Sequence, residues 1–206
     1  MHIAIAGNIG CGKTTLTKLL AKHFNWEPAL ENIDKNPYLT SFYDDMQRWS
    51  FNVQVFFLNL RCRQIMEIRK RKKTVVQDRT IFEDAYIFAP NLHDMGLMAT
   101  RDYENYMSLF ELVSSFMQPP DLLIYIKAST STLVTQIQKR GRKYENTIRL
   151  DYLQNLNERY DKWTGSYKKG KMLVIDADTI KFAENEADMG YVIDRINAEL
   201  FGLFKS

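Results

Sequence analysis

Cysteine is close to missing from this chain: only Cys11 and Cys62 occur in 206 residues. Two thiols so far apart build neither a zinc knuckle nor a disulfide framework, and such usage suits a reducing cytoplasm. Proline is sparse, and no uncharged apolar run approaches the roughly 18 residues that a membrane span needs. The opening Met1-His2-Ile3-Ala4-Ile5-Ala6-Gly7 has no basic segment ahead of its apolar residues, so no secretory leader is expected. Charge of one sign is lacking as well: 28 Lys and Arg face 25 Asp and Glu, a net +3 that is too small to argue for nucleic acid. His2, His23 and His93 sit in unrelated contexts and suggest no metal site. Hydrophobic residues at 45% and charged residues at 26% exclude extended disorder. Neither repeats nor low-complexity linkers divide the chain, so one domain over residues 1–206 is expected.

What is present is an alternation of patterns. Apolar runs at His2–Ala6, Thr74–Gln77, Leu122–Lys127 and Met172–Ile175 read as strands, with a weaker one at Pro28–Glu31. Amphipathic patterns over 13–24, 51–70, 79–90, 102–117, 130–139, 149–166 and 186–204 read as helices. Short continuous apolar strands separated by helices predict an α/β fold, a parallel sheet of five strands flanked by helices on both faces. Pro119-Pro120 should close a helix before the Leu122 strand.

The strongest signal is Gly7-Asn8-Ile9-Gly10-Cys11-Gly12-Lys13-Thr14, a complete GxxxxGK[ST] phosphate loop followed by Thr15. Its glycines let backbone amides converge on phosphate oxygens, and the next helix adds the positive end of its dipole. Lys13 should reach the β- and γ-phosphates and the Thr14 hydroxyl should bind Mg²⁺. Cys11 fills a free position and reads as a small packing residue. The NKxD and DxxG strings of switch GTPases are absent. A short chain with such a loop near its start suits a small kinase whose acceptor sits at the carboxyl ends of the strands.

Acceptor-side candidates follow along the chain. Glu31, after the weak strand, is placed to take a proton from a hydroxyl. Asp78 follows the Thr74 strand and suits Mg²⁺, and Arg79 beside it suits a transferring phosphoryl group. Lys139-Arg140-Gly141-Arg142-Lys143 reads as a short basic lid, over about 139–146. Taken singly, each has a plainer explanation: a surface carboxylate, a structural pair, a solvated turn.

Together, the P-loop, Glu31, Arg48-Trp49-Ser50-Phe51 with Gln54, Asp78-Arg79-Thr80 and Arg140-Gly141-Arg142 resemble the deoxynucleoside kinase family, from residue 2 to about 176. Glu31 to Leu39, with its Asn-Pro-Tyr-Leu ending, is most similar to the bacterial purine branch. The resemblance implies a P-loop kinase fold that transfers phosphate from ATP to the 5′-hydroxyl of a 2′-deoxynucleoside, with deoxyadenosine ahead of deoxyguanosine and deoxycytidine. It implies Glu31 as base for the 5′-hydroxyl, Asp78 with Thr14 for Mg²⁺, and Arg79 on the 5′-oxygen and phosphoryl group. Tyr43 and Glu145 would hold the 3′-hydroxyl. Gln54, Arg61 and Asp84 would read the base edge, and Phe88 would stack on the base. By residue type these roles are sensible: an amide donates and accepts at once, and Arg61 could be oriented by Asp84.

Two positions depart from the family pattern: Gln136 stands where relatives often carry another lid arginine, and Val53 where some carry a stacking aromatic. The run from Arg61 to Lys73, relieved only by Glu67, reads as a solvated helix end rather than a nucleic-acid patch. A homodimer is implied, with its contact on the helices near 50–70 and 102–117. Phe51, Val55, Phe56, Leu58, Tyr106, Leu109, Phe110 and Val113 are more apolar than one sheet face would cover, unless they complete a monomer's core. The alternative of a different class is a non-catalytic nucleotide-binding subunit, and within enzymes the alternative is a nucleoside monophosphate kinase. Only Lys35 and Arg48 supply cations within 31–54, which favours an uncharged acceptor hydroxyl.

Overall fold

The computed structural model describes residues 1–202 apart from Asn32, Asp34 and Lys35, and for Lys143 and Asn146 the backbone alone. Lys35, and part of the Glu31 to Leu39 segment, therefore lie outside the described residues. Among those described, β1 (His2–Gly7), β2 (Glu27–Ala29), β3 (Val75–Asp78), β4 (Leu122–Lys127) and β5 (Lys171–Asp176) form one parallel sheet in the order β2-β3-β1-β4-β5. The helices are α1 (Lys13–Phe24), α2 (Leu39–Asp44), α3 (Met46–Lys70), α4 (Ile81–Glu83), α5 (Ala89–Asp94), α6 (Thr100–Ser114), α7 (Thr130–Arg140), α8 (Leu150–Gly165) and α9 (Glu186–Phe201), with a 3₁₀ turn over Lys143–Thr147.

Because β1 is the middle strand, the chain reverses direction across the sheet there, and its carboxyl end opens the crevice where such sheets receive ligands. Successive residues of β1 face opposite ways. Ile3 and Ile5 meet Leu16 and Leu20 of α1, Leu133 of α7, and Val192 and Ile196 of α9. Ala4 and Ala6 face the other side, where their small size admits Trp163 and Tyr167 at the end of α8.

Several boundaries differ from the sequence expectation. α3 begins at Met46 because Asp45 caps it, accepting the Arg48 N–H at 3.0 Å. The short α2 carried no periodicity long enough to notice. The helix expected over 79–90 continues to Asp94 and contains a π turn at Asp84–Phe88, in which the Ala89 N–H bonds back to Asp84 O. Pro90 offers no N–H and its ring would press on the carbonyl of the preceding turn, so the wider turn accommodates it. α6 stops at Ser114, before the proline pair, and α9 stops at Phe201 with 203–206 outside the described residues.

Two readings of composition are corrected. Leu58, Tyr106 and Phe110 are buried in this chain's own core against Ile81, Phe82 and Ala85, so they are not surplus apolar surface. What stays exposed on and just after α6 is Leu109, Leu112 and Phe116. Arg61 is fully buried, at 0% exposure, so the solvated basic face starts at Arg63. No helix among the described residues is long and apolar enough to cross a membrane.

Candidate active site

The phosphate loop is built as its sequence requires. Gly7 has φ 150°, and a Cβ there would stand 2.7 Å from the Ile126 carbonyl oxygen and 2.6 Å from Cys11 Sγ. Gly12, at φ 98°, turns the loop into α1, whose first turn carries no acidic residue to compete with phosphate. Lys13 is folded back: its Nζ donates to Gly7 O at 2.8 Å and to Asn8 O at 2.9 Å. The Asn8 side chain braces the loop from behind, donating to Leu153 O and Asn157 Oδ1 of α8. Burial pushes the Cys11 thiol up, so it packs rather than reacts.

Thr14 Oγ1 donates to Asp78 Oδ2 at 2.5 Å, joining α1 to the end of β3. Burial and then Glu31 push the Asp78 carboxyl up, and its Oδ1 is buried without a hydrogen-bond partner. A hydroxyl and a carboxylate with a spare oxygen fit Mg²⁺, which takes few protein ligands and leaves the rest to water and phosphate.

Arg79 has φ 70°, a left-handed conformation costly for a residue with a Cβ. Its N–H bonds to Ile5 O at 2.9 Å, and the twist sends the guanidinium into the site. There Arg79 Nε lies 3.3 Å from Glu31, and its guanidinium carbon sits 4.6 Å from the centre of the Phe88 ring. On the other side of Glu31, Arg61 Nη2 donates to Oε1, and Arg61 Nε is 3.4 Å from Asp84 Oδ2. Burial opposes ionisation of Glu31, yet Arg61, Arg79 and Lys13 outweigh it and hold its pKa at about 2. Asp84 goes the other way. Burial, aided by Glu31 and Glu83 against the pull of Arg61 and Arg79, pushes it up to about 7.

These groups border a cavity of about 410 Å³. Its phosphate end is lined by Ile9, Gly10, Gly12, Lys13, Thr14 and Thr15, with Gln136, Lys139, Arg140 and Arg142 opposite. Glu31 and Arg79 line the cavity as well, and its enclosed end is the buried set Gln54, Asp84, Phe88 and Val53, joined by Tyr43. Gln54 is almost fully buried, and its Oε1 has no hydrogen-bond partner. Tyr43 stacks on Tyr144 with ring centres 5.6 Å apart. Glu145 lines the cavity but is clamped by Arg140 at 3.0 and 2.6 Å, with Arg142 at 3.5 Å.

Five expected site residues do not line the cavity: Gly7, Asn8 and Cys11 shape the loop, Asp78 is held behind Thr14, and the Arg61 guanidinium serves Glu31 and Asp84. Sequence reasoning missed several lining residues, Ile33, Leu39, Phe42, Phe57 and Tyr152. Phe57 was within reach, since it falls one helical turn beyond Val53. It also missed Glu83 and Tyr160, buried partners of the P-loop, of which Tyr160 comes from α8, far along the chain.

A phosphate loop facing a carboxylate–arginine pair, with a polar enclosed pocket beyond, is the layout of a kinase for a small hydroxyl acceptor. Residues 3–201 match the deoxynucleoside kinase family. This chain belongs to that family. A deoxyadenosine/deoxycytidine kinase of Bacillus subtilis is 36% identical over 196 residues, covering 94% of this chain and 90% of the relative. A deoxyguanosine kinase of Lactobacillus acidophilus is 36% identical over 203 residues, covering 94% and 88%. The structure of deoxyadenosine kinase from M. mycoides with bound dATP superposes with a TM-score of 0.85 at 27% identity, spanning 96% of this chain and all of that one. The chain is thus a P-loop phosphotransferase that phosphorylates deoxynucleosides at the expense of ATP.

Proposed function

We propose that the preferred acceptor is deoxyadenosine, phosphorylated at its 5′-hydroxyl, with deoxyguanosine second and deoxycytidine third. The observation that carries this is the enclosed end of the cavity, whose lining includes a buried Gln54 amide with an unpartnered oxygen and Asp84, which Arg61 backs. Such a pair offers both a donor and an acceptor to a base edge. Relatives named deoxyadenosine kinase and deoxyguanosine kinase support a purine, and the deoxyadenosine/deoxycytidine kinase of Bacillus subtilis supports deoxycytidine as a further acceptor.

In this reading Glu31 meets the 5′-hydroxyl as a carboxylate. With its pKa near 2 it is a weak base at rest. It orients the hydroxyl and takes the proton late, as the bond to phosphorus makes that oxygen acidic. Arg79 neutralises charge developing on the transferred group, Lys13 leaves its carbonyls for the β- and γ-phosphates, and Arg140 and Arg142 close as a lid. Thr14 and Asp78 hold Mg²⁺, which offsets charge on the phosphate oxygens when bound. Tyr43 and Glu145 take the 3′-hydroxyl, and the Tyr43 ring crowds a ribose 2′-hydroxyl. A homodimer closes over Leu109, Leu112 and Phe116, which α6 leaves exposed.

The test is kcat/KM with ATP and Mg²⁺ for deoxyadenosine, deoxyguanosine, deoxycytidine, thymidine and adenosine. Deoxyadenosine should lead. Thymidine as best substrate would overturn the pocket argument, and adenosine equal to deoxyadenosine would overturn the role of Tyr43.

A further inference from the structure

Glu83 and Tyr160 are both fully buried, at 0% exposure, and neither lines the cavity. Every oxygen of the Glu83 carboxylate is engaged. Oε1 accepts from Gly7 N at 3.1 Å and from the Tyr160 hydroxyl at 2.8 Å; Oε2 accepts from Thr80 N at 2.7 Å and from Thr80 Oγ1 at 3.2 Å. The Tyr160 hydroxyl is also 2.8 Å from Gly7 O and accepts from Arg79 Nη1 at 3.3 Å. A phenol has one proton to give. Arg79 can only donate, so it claims a lone pair, and the proton must choose between Glu83 and the Gly7 carbonyl.

That carbonyl is also where Lys13 rests, at 2.8 Å, with Asn8 O its second seat at 2.9 Å. When Lys13 moves to phosphate it abandons both oxygens in a buried setting, which is costly if nothing replaces it. Asn8 O keeps a donor, since the Cys11 N–H bonds to it at 3.3 Å. For Gly7 O the donor that remains is Tyr160.

We propose that Tyr160 and Glu83 are positioning residues for the phosphate donor: the Tyr160 hydroxyl pivots from Glu83 to the Gly7 carbonyl as Lys13 leaves it for the triphosphate. Glu83 keeps the P-loop amide and the Arg79 turn in one frame while this happens, and Arg79 holds the phenol oxygen so that its proton has only those two destinations. Burial, and then Glu83, push the Tyr160 hydroxyl well above its usual range, so the proton stays on it at working pH. The inference rests on the role given above to Lys13.

Tyr160→Phe in the full chain removes one oxygen while the ring keeps its stacking on Tyr125 at 5.7 Å and its edge contact with Trp163 at 6.4 Å, so the fold stands. Affinities for ATP and AMP with Mg²⁺, and KM for ATP and deoxyadenosine, are measured for wild type, Tyr160→Phe, Lys13→Met and the double variant. ATP affinity should fall about tenfold in Tyr160→Phe, the scale of one unreplaced buried hydrogen bond. AMP affinity and KM for deoxyadenosine should stay within about twofold, because AMP does not draw Lys13 away. Adding Tyr160→Phe to Lys13→Met should cost nothing further, since no lysine then leaves the carbonyl. Equal losses for AMP and ATP, full additivity, or unchanged ATP affinity in Tyr160→Phe beside a weakened Lys13→Met would overturn the pivot alone. A Lys13→Met protein that binds ATP like wild type would overturn the role of Lys13 itself, and the pivot with it.

Discussion

Arg61 Nη2 donates to Glu31 Oε1, and the two side chains are 0% and 6% exposed. The carboxylate proposed to meet the substrate hydroxyl is thus fixed by an arginine that also faces Asp84 at the enclosed end of the pocket. One buried chain of charge, Asp84–Arg61–Glu31–Arg79, runs from the base end to the phosphoryl end. Disturbing any link should be felt along it.

Arg61→Met keeps the bulk and removes the charge. It leaves Glu31 and Asp84 short of a buried partner, and breaking such a pair costs about 3 kcal/mol or more. Urea unfolding at pH 7 should show that loss with an unchanged slope. A loss below about 1 kcal/mol would mean the pair is solvated.

Asp84 gives stability a defined pH dependence. Its folded pKa is raised to about 7 from an ordinary 3.8. Over that interval the unfolded chain releases a proton that the folded protein keeps. The contribution is therefore full below about pH 4 and lost as pH rises through about 7. Glu31, lowered to about 2 from 4.5, acts oppositely, its contribution present above pH 4.5 and lost as pH falls towards 2. Urea midpoints from pH 4 to 8 should fall less steeply with pH in Asp84→Asn than in wild type; parallel curves would refute the assignment.

The metal reading predicts that Asp78→Asn raises the Mg²⁺ concentration for half-maximal activity by about tenfold, since an amide oxygen is a poorer ligand than a carboxylate. A Mg²⁺ titration at saturating ATP checks this. An unchanged Mg²⁺ requirement would place the ion elsewhere.

Sedimentation at micromolar concentration should give the mass of two chains, and Leu112→Glu with Phe116→Glu should return it to one. Both side chains are well exposed in the single chain, at 60% and 72%. A wild-type mass near one chain would remove the dimer.

The sequence shows most clearly what is local. The P-loop spacing fixes the glycine turns and the start of α1, while short continuous apolar runs mark the sheet and period-3.6 patterns mark most of the helices. Harder to see was whatever depends on distant segments. Tyr160 meets Gly7 across 153 positions, and no pattern near either residue announces it. Arg61 looked like part of a basic surface because a residue type says nothing about which way its helix faces. The left-handed turn at Arg79 had no glycine to flag it, and the π turn before Pro90 becomes visible only once the helix is known to continue past the proline.

Glu31→Gln is the sharpest single test, because it keeps shape and removes only the carboxylate charge that meets the hydroxyl. Turnover of deoxyadenosine and binding of ATP are measured on the same preparation at pH 7. A fall in kcat of about 10²–10⁴-fold with ATP affinity within about twofold of wild type is the expected result. Turnover near the wild-type value would contradict Glu31 as the group that orients and deprotonates the 5′-hydroxyl.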